Sequence, residues 1–358
     1  MNSNVLRLTL SACALLVMTR PQANAQARAW PAQPSAHTAQ PGDADDPPPA
    51  RQRRNQRQRP ALPAPDRPSL AYGADPMEVM DVWLANPAQG QAAPLLMFIH
   101  GGGFTKGSKE DLPPGLLRAC QRLGITVASV DYRLAAYPTT PTAAKFPEQH
   151  MECARALQFL RHSAASLNID PKRVMLSGSS AGGGIALWIA FHDDMADPSN
   201  KDPVLHESTR VSAALVMATQ TTYDPRVIKE VVGGRAGEHT ALAAMYGLTL
   251  DEMDTDKAHK LFEEASPVNL LTKDDPPVFA TYGESPAPLK PDSPPGMGIH
   301  HPALGAFLKK KMDALGIECI VKVREVDGNS AAEEGAFLRK HLHIEGAAFP
   351  SRRPGAGR

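Results

Sequence analysis

The chain has 358 residues, enough for one large domain or two ordinary ones, and its 38 Lys and Arg balance 38 Asp and Glu. A net charge of +0 does not advertise a nucleic-acid partner, and none is expected.

Arg7 gives a weakly positive start, Leu8 to Met18 is apolar, and Ala23-Asn24-Ala25 is a small-residue cleavage site. The pattern predicts an export signal over residues 1–25 and hence a periplasmic or extracellular protein. The apolar run is too short for an integral membrane span. Leu10-Ser11-Ala12-Cys13 resembles a lipoprotein box, but most of the apolar residues follow Cys13, which argues against lipidation. Residues 26–70 are rich in Pro, Ala, Gln and Arg without apolar periodicity, which predicts a disordered linker. Its basic run Arg51, Arg53, Arg54, Arg57 and Arg59 reads first as a solvated spacer and second as a contact for anionic polymers or head groups. Residues 346–358 are expected to form an unstructured tail. Once the signal is removed, Cys120, Cys153 and Cys319 remain, an odd number that forbids full pairing; buried thiols are expected.

Between these ends strands alternate with helices. Strands are predicted at Met80–Leu84, Leu95–Ile99, Thr126–Tyr132, Arg173–Leu176, Val211–Met217, Val278–Tyr282 and Glu318–Val323. Helices are predicted at Leu112–Leu123, Phe146–Leu167, after Ser180, at Pro302–Leu315 and at Ala332–Leu342. The alternation argues for an α/β fold, a mostly parallel sheet with helices on both faces, over residues 71–345. Residues 225–265 interrupt it with a helical pattern of mixed polarity, read as a small helical lid or a plain surface insertion.

Two motifs carry chemistry. Gly178-Ser179-Ser180-Ala181-Gly182 is a G-x-S-x-G turn between a predicted strand and a predicted helix. Serine is a poor nucleophile at neutral pH; it needs a base for its proton and donors for the oxyanion it creates. A strand-to-helix turn exposes the serine oxygen and aims unpaired helix N–H groups at the reacting centre. Upstream, His100-Gly101-Gly102-Gly103-Phe104 follows the strand ending at Ile99, and its glycines let backbone N–H groups approach a ligand closely. The pair predicts Ser180 as nucleophile and an oxyanion hole from the N–H groups of Gly101, Gly102 and Ala181.

With Met80-Asp81-Val82-Trp83, Asp131-Tyr132-Arg133-Leu134, Ser266-Pro267 and Pro276-Pro277-Val278, these motifs make residues 77–343 resemble the α/β-hydrolase family. Within it they resemble the esterase branch related to hormone-sensitive lipase and bacterial acyl-ester hydrolases. The resemblance implies the α/β-hydrolase fold, small-molecule ester substrates, no cofactor, and structural roles for Tyr132 and Arg133.

The remaining triad positions depart from the family pattern. An acid is expected after the penultimate strand, where the chain reads Tyr282-Gly283-Glu284-Ser285-Pro286; Pro286 stands near the expected position, with Glu284 and Asp292 as substitutes. A histidine is expected after the last strand, where Asn329 and Ser330 stand instead, and His341 and His343 beyond them read as packing or solvent-facing residues. The candidate base is therefore His300 or His301, in a Gly- and Pro-rich loop at the sheet edge where ligands of parallel sheets bind, with Glu284 or Asp292 to orient it. The competing reading of the pair is a helix-start structure; a metal site lacks an evident third ligand.

These residues support an exported hydrolase of carboxylic esters with a non-standard or degenerate triad: Ser180, His300 and Glu284. The second reading is a non-catalytic relative that binds a small ligand. A peptidase on the same fold is weaker, since no propeller-like extension is present.

Overall fold

The computed structural model describes residues 61–85 and 91–345, all within the unit that begins at Asp46. The expected signal, the basic run and the C-terminal tail lie outside the described residues. The described strands are β1 (Arg67–Ala71), β2 (Val79–Trp83), β3 (Ala93–Ile99), β4 (Thr126–Val130), β5 (Ile169–Ser179), β6 (Ala213–Met217), β7 (Val278–Tyr282) and β8 (Cys319–Val323). They join one sheet in the order β1-β2-β4-β3-β5-β6-β7-β8. The β1–β2 and β2–β4 pairs are antiparallel and all later pairs are parallel, as the strand–helix alternation predicts.

The sheet is buried on both faces. All seven residues of β3 are buried, and its side chains divide by a period of two. Leu95, Met97 and Ile99 enter one core; Leu96 and Phe98 enter the other. The first core is closed by the helices α2 (Glu148–His162), α3 (Ala181–Phe191) and α7 (Ala303–Ala314), through Cys153, Leu157, Ile185, Leu304 and Leu308. The second is closed by α1 (Pro114–Arg122) and α8 (Ala331–His341), through Leu117, Cys120, Phe337 and Leu338. Every residue of α3 is buried, which fits its nearly unbroken apolar sequence and central position.

The segment expected as a lid forms α4 (Pro225–Val231), α5 (Thr240–Tyr246) and α6 (Asp256–Ala265) between β6 and β7. Leu242, Met245, Tyr246, Ala258 and Phe262 join the same core as α2 and α3, so this insertion is packed in place by its own apolar face.

One boundary is corrected. The expected disordered linker ran to residue 70, but β1 begins at Arg67. It is an edge strand with only Leu70 half-buried, so it carries no apolar alternation to read. Pairing with β2, and the Asp81 carboxylate accepting the Ser69 N–H at 2.8 Å, hold it instead. β5 is also longer than the predicted Arg173–Leu176, because it pairs along both edges, with β3 and β6. Cys120, Cys153 and Cys319 are free and buried, as expected.

Candidate active site

Four neighbouring parallel strands end along one line. Ile99 pairs with Gly178, Ser179 with Met217, and Met217 with Thr281, so the loops after β3, β5, β6 and β7 leave the sheet side by side. The chain has passed from β3 to β4 on one side and then crossed to β5 on the other. The crevice between β3 and β5 is therefore a switch point, the place where open parallel sheets bind ligands.

Ser180 sits in that crevice between β5 and α3, with φ 51° and ψ −125°. A non-glycine residue in this region costs about 1–3 kcal/mol and persists only where its surroundings impose it. The Ser180 N–H donates to the Met217 carbonyl at 2.9 Å, and the Ser180 carbonyl accepts from the Gly184 N–H at 3.1 Å. The tightness of the turn depends on Gly182: a Cβ there would lie 2.2 Å from the Ile99 carbonyl oxygen and 2.3 Å from that of His100. Gly101 makes the matching approach from the β3 loop, since a Cβ on it would lie 3.1 Å from Cβ of Ser180 and 2.7 Å from the Ser179 carbonyl oxygen. Gly101 thus lies against the serine, while Gly102 turns toward Lys106, and Ala181 begins α3, where an N–H has no acceptor within the helix.

The loop is stiffened from below by His100. Its ring is buried and stacks on Tyr132 at 4.3 Å with 9° between the planes. Nδ1 lies 2.7 Å from the Gly101 carbonyl oxygen, and the Tyr132 hydroxyl donates to the His100 carbonyl at 3.0 Å. Burial lowers the His100 pKa from its ordinary value, so the ring is neutral and Nδ1–H is the donor to Gly101. Arg133 pairs with the buried Glu152 carboxylate at 2.5 Å. Tyr132 and Arg133 therefore hold structure, as the resemblance implied.

His300 comes from the loop between β7 and α7. Its Nε2 lies 2.8 Å from Oγ of Ser180, and its Nδ1 lies 3.3 Å from Oε1 of Glu284, just past the end of β7. Asp292 is exposed. His301 serves the neighbouring helix instead. Its Nδ1 accepts the Ala303 N–H at 3.1 Å, which leaves Nε2–H to donate to the Ala287 carbonyl at 3.1 Å. The ring thereby caps the start of α7. After β8 the chain enters a helical turn, Arg324–Asp327; Asn329 then accepts the Ala331 N–H at the start of α8, and the Ser330 hydroxyl donates to Glu334. His341 packs against Phe337 with the rings tilted by 53° and pairs with Glu318 at 3.1 Å. The structure thus brings Ser180, His300, Glu284, Gly101 and Ala181 together, with Gly102 next along the β3 loop, and leaves Asp292, His301 and His341 in other surroundings.

The loop after β6 was not singled out by sequence reasoning. The Gln220 side-chain N–H donates to the Ile299 carbonyl at 2.6 Å, next to His300. Its only signal in the sequence was its place after a predicted strand of the same edge.

A family model described as BD-FAE matches residues 80–290, more than half of the chain. The chain belongs to the BD-FAE family. This BD-FAE chain is 23% identical over 217 residues to the esterase LipC of Mycobacterium tuberculosis, an alignment covering 61% of it and 50% of LipC. It is 31% identical over 112 residues to human hormone-sensitive lipase, covering 31% of this chain and 10% of that one. It spans half or less of the length of these curated relatives. In fold it matches a truncated form of a carbohydrate esterase from gut microbiota with a TM-score of 0.59 at 16% identity, covering 78% of this chain and 100% of the other. The α/β-hydrolase fold of this BD-FAE protein therefore rests on both the matched family and the sheet order.

Proposed function

We propose that the protein hydrolyses carboxylic esters through an acyl-enzyme on Ser180. His300 is the general base, Glu284 orients it, and the N–H groups of Gly101, Gly102 and Ala181 hold the oxyanion. The observation that carries this reading is the 2.8 Å contact between Ser180 Oγ and His300 Nε2. The names of the relatives, esterases and a lipase, support the ester as substrate.

In the proposed cycle, Oγ of Ser180 attacks the ester carbonyl carbon while its proton passes to Nε2 of His300. For Nε2 to accept, the neutral ring must carry its proton on Nδ1, and the Glu284 carboxylate, with Oε1 3.3 Å from Nδ1, is the charge that favours this tautomer. The carbonyl electron pair moves onto oxygen, where preorganised amides meet the new charge without reorganisation. Collapse breaks the bond to the alcohol, which takes the proton from Nε2. Water repeats the sequence: it gives a proton to Nε2, attacks the acyl carbon, and releases the carboxylic acid as Ser180 regains its proton. The chain order Ser, acid, His is that of the family, but the base precedes the last strand instead of following it.

The substrate proposed is a small or medium ester. Export rests on the apolar run Leu8 to Met18 and the small residues at Ala23-Asn24-Ala25. A fluorophosphonate probe applied to the full chain tests the reading. Labelling that is lost in Ser180→Ala and in His300→Ala is the expected result. An unlabelled but folded wild type would replace this function with that of a ligand-binding relative.

A further inference from the structure

A base carried on an irregular loop needs something outside the loop to hold it. Residues 283–302 connect β7 to α7 without a strand or helix and contain Pro286, Pro288, Pro291, Pro294, Pro295 and Pro302. Much of their internal bonding stays within the loop, as in the contact from His301 to the Ala287 carbonyl. Misplacing a reacting group by about 1 Å costs on the order of a hundredfold in rate. The 2.8 Å approach of His300 to Ser180 therefore requires a fixed point close to His300.

The loop after β6 provides it. Gln220 donates its side-chain N–H to the Ile299 carbonyl at 2.6 Å, the peptide group bonded directly to His300. The next residue, Thr221, donates its buried hydroxyl to the Leu304 carbonyl at 2.9 Å, beyond His300 on α7. Met217, the last residue of β6 and the start of that loop's path, accepts the Ser180 N–H, and the Tyr282 hydroxyl at the end of β7 donates to the Thr219 carbonyl at 3.0 Å, fixing the loop to the sheet. The segment from Met217 to Thr221 thus holds the serine turn at its first residue, the histidine loop at Gln220 and α7 at Thr221.

We infer that Gln220 is a positioning residue for the general base, holding His300 in register with Ser180 through the Ile299 peptide. The inference rests on the proposed hydrolase reading and deepens it. Gln220 acts through the Ile299 carbonyl, so its loss misplaces the base and slows chemistry while leaving the amides and the substrate surface alone.

The test uses the full chain and two substitutions, Gln220→Met, which keeps the length and removes the donor, and Gln220→Glu, which turns the donor into an acceptor facing the Ile299 carbonyl. Fluorophosphonate labelling rate, and kcat and KM on a p-nitrophenyl acyl ester, are read beside the melting temperature. The expected result is a fall of about 10- to 100-fold in labelling rate and kcat, with KM within about twofold and Gln220→Glu at least as impaired as Gln220→Met. If Gln220→Met does not fold, Gln220→Glu carries the same reading. A wild type that labels, beside a folded variant that labels equally fast or loses only KM, overturns the positioning role alone. A wild type that does not label overturns the hydrolase reading and this role with it.

Discussion

Glu284 and His300 belong to one loop, and Oε1 of the first lies 3.3 Å from Nδ1 of the second. Their side chains are 37% and 28% exposed, so water competes for both ends of the contact. Glu284→Gln keeps the shape and removes the charge. It is expected to lower kcat by about 10- to 100-fold, less than loss of a buried triad acid costs. A loss below about threefold in steady-state kinetics would assign the orienting role elsewhere.

The adjacent histidines separate cleanly by function. His300→Ala removes the contact to Ser180 and is expected to lower kcat by about a thousandfold or more, since triad members act as a unit. His301→Ala removes the cap on α7 and is expected to cost about 1 kcal/mol of stability, with activity within about tenfold of wild type. Parallel kinetics and melting curves distinguish the two, and a more damaging His301→Ala would exchange their roles.

Gly182→Ala tests how closely α3 must approach β3. The new methyl would fall 2.2 Å from the Ile99 carbonyl oxygen, which is backbone at the end of a wholly buried strand. Overpacking of this kind costs about 1–3 kcal/mol or more, and the melting temperature is expected to drop by roughly 5 °C or more. Unchanged stability with unchanged labelling of Ser180 would show that the turn has slack.

His150 predicts an acid limit on stability. Its ring is wholly buried among Phe104, Phe146 and Trp188, and neither nitrogen has a hydrogen-bond partner among the described residues. Burial lowers its pKa from 6.5 to about 3. The unfolded chain therefore binds a proton that the folded chain refuses between those values. Stability is full above the ordinary histidine pKa and falls with decreasing pH at up to about 1.4 kcal/mol per unit. His150→Phe is expected to flatten that slope in urea titrations at several pH values; an unchanged slope would assign acid sensitivity to other groups.

Much of the fold was legible because buried parallel strands and amphipathic helices leave local apolar patterns. Leu95–Ile99 and Val278–Tyr282 were readable for that reason, and so was α2 from Cys153, Leu157 and Leu160. Strand β1 was missed because an edge strand with one half-buried residue has no such pattern. Asn329 and Ser330 marked the absence of a histidine after β8, but not that this stretch caps α8 instead.

The sequence by itself determined the serine turn and the glycine loop, because both depend on small residues placed next to a strand and act through their own backbone. Tertiary structure alone decided that His300 and not His301 meets Ser180, that Glu284 and not Asp292 meets His300, and that Gln220 stands behind them. These are distances between loops from β5, β6 and β7, set by strand order and register across the sheet. No periodicity along the chain encodes them.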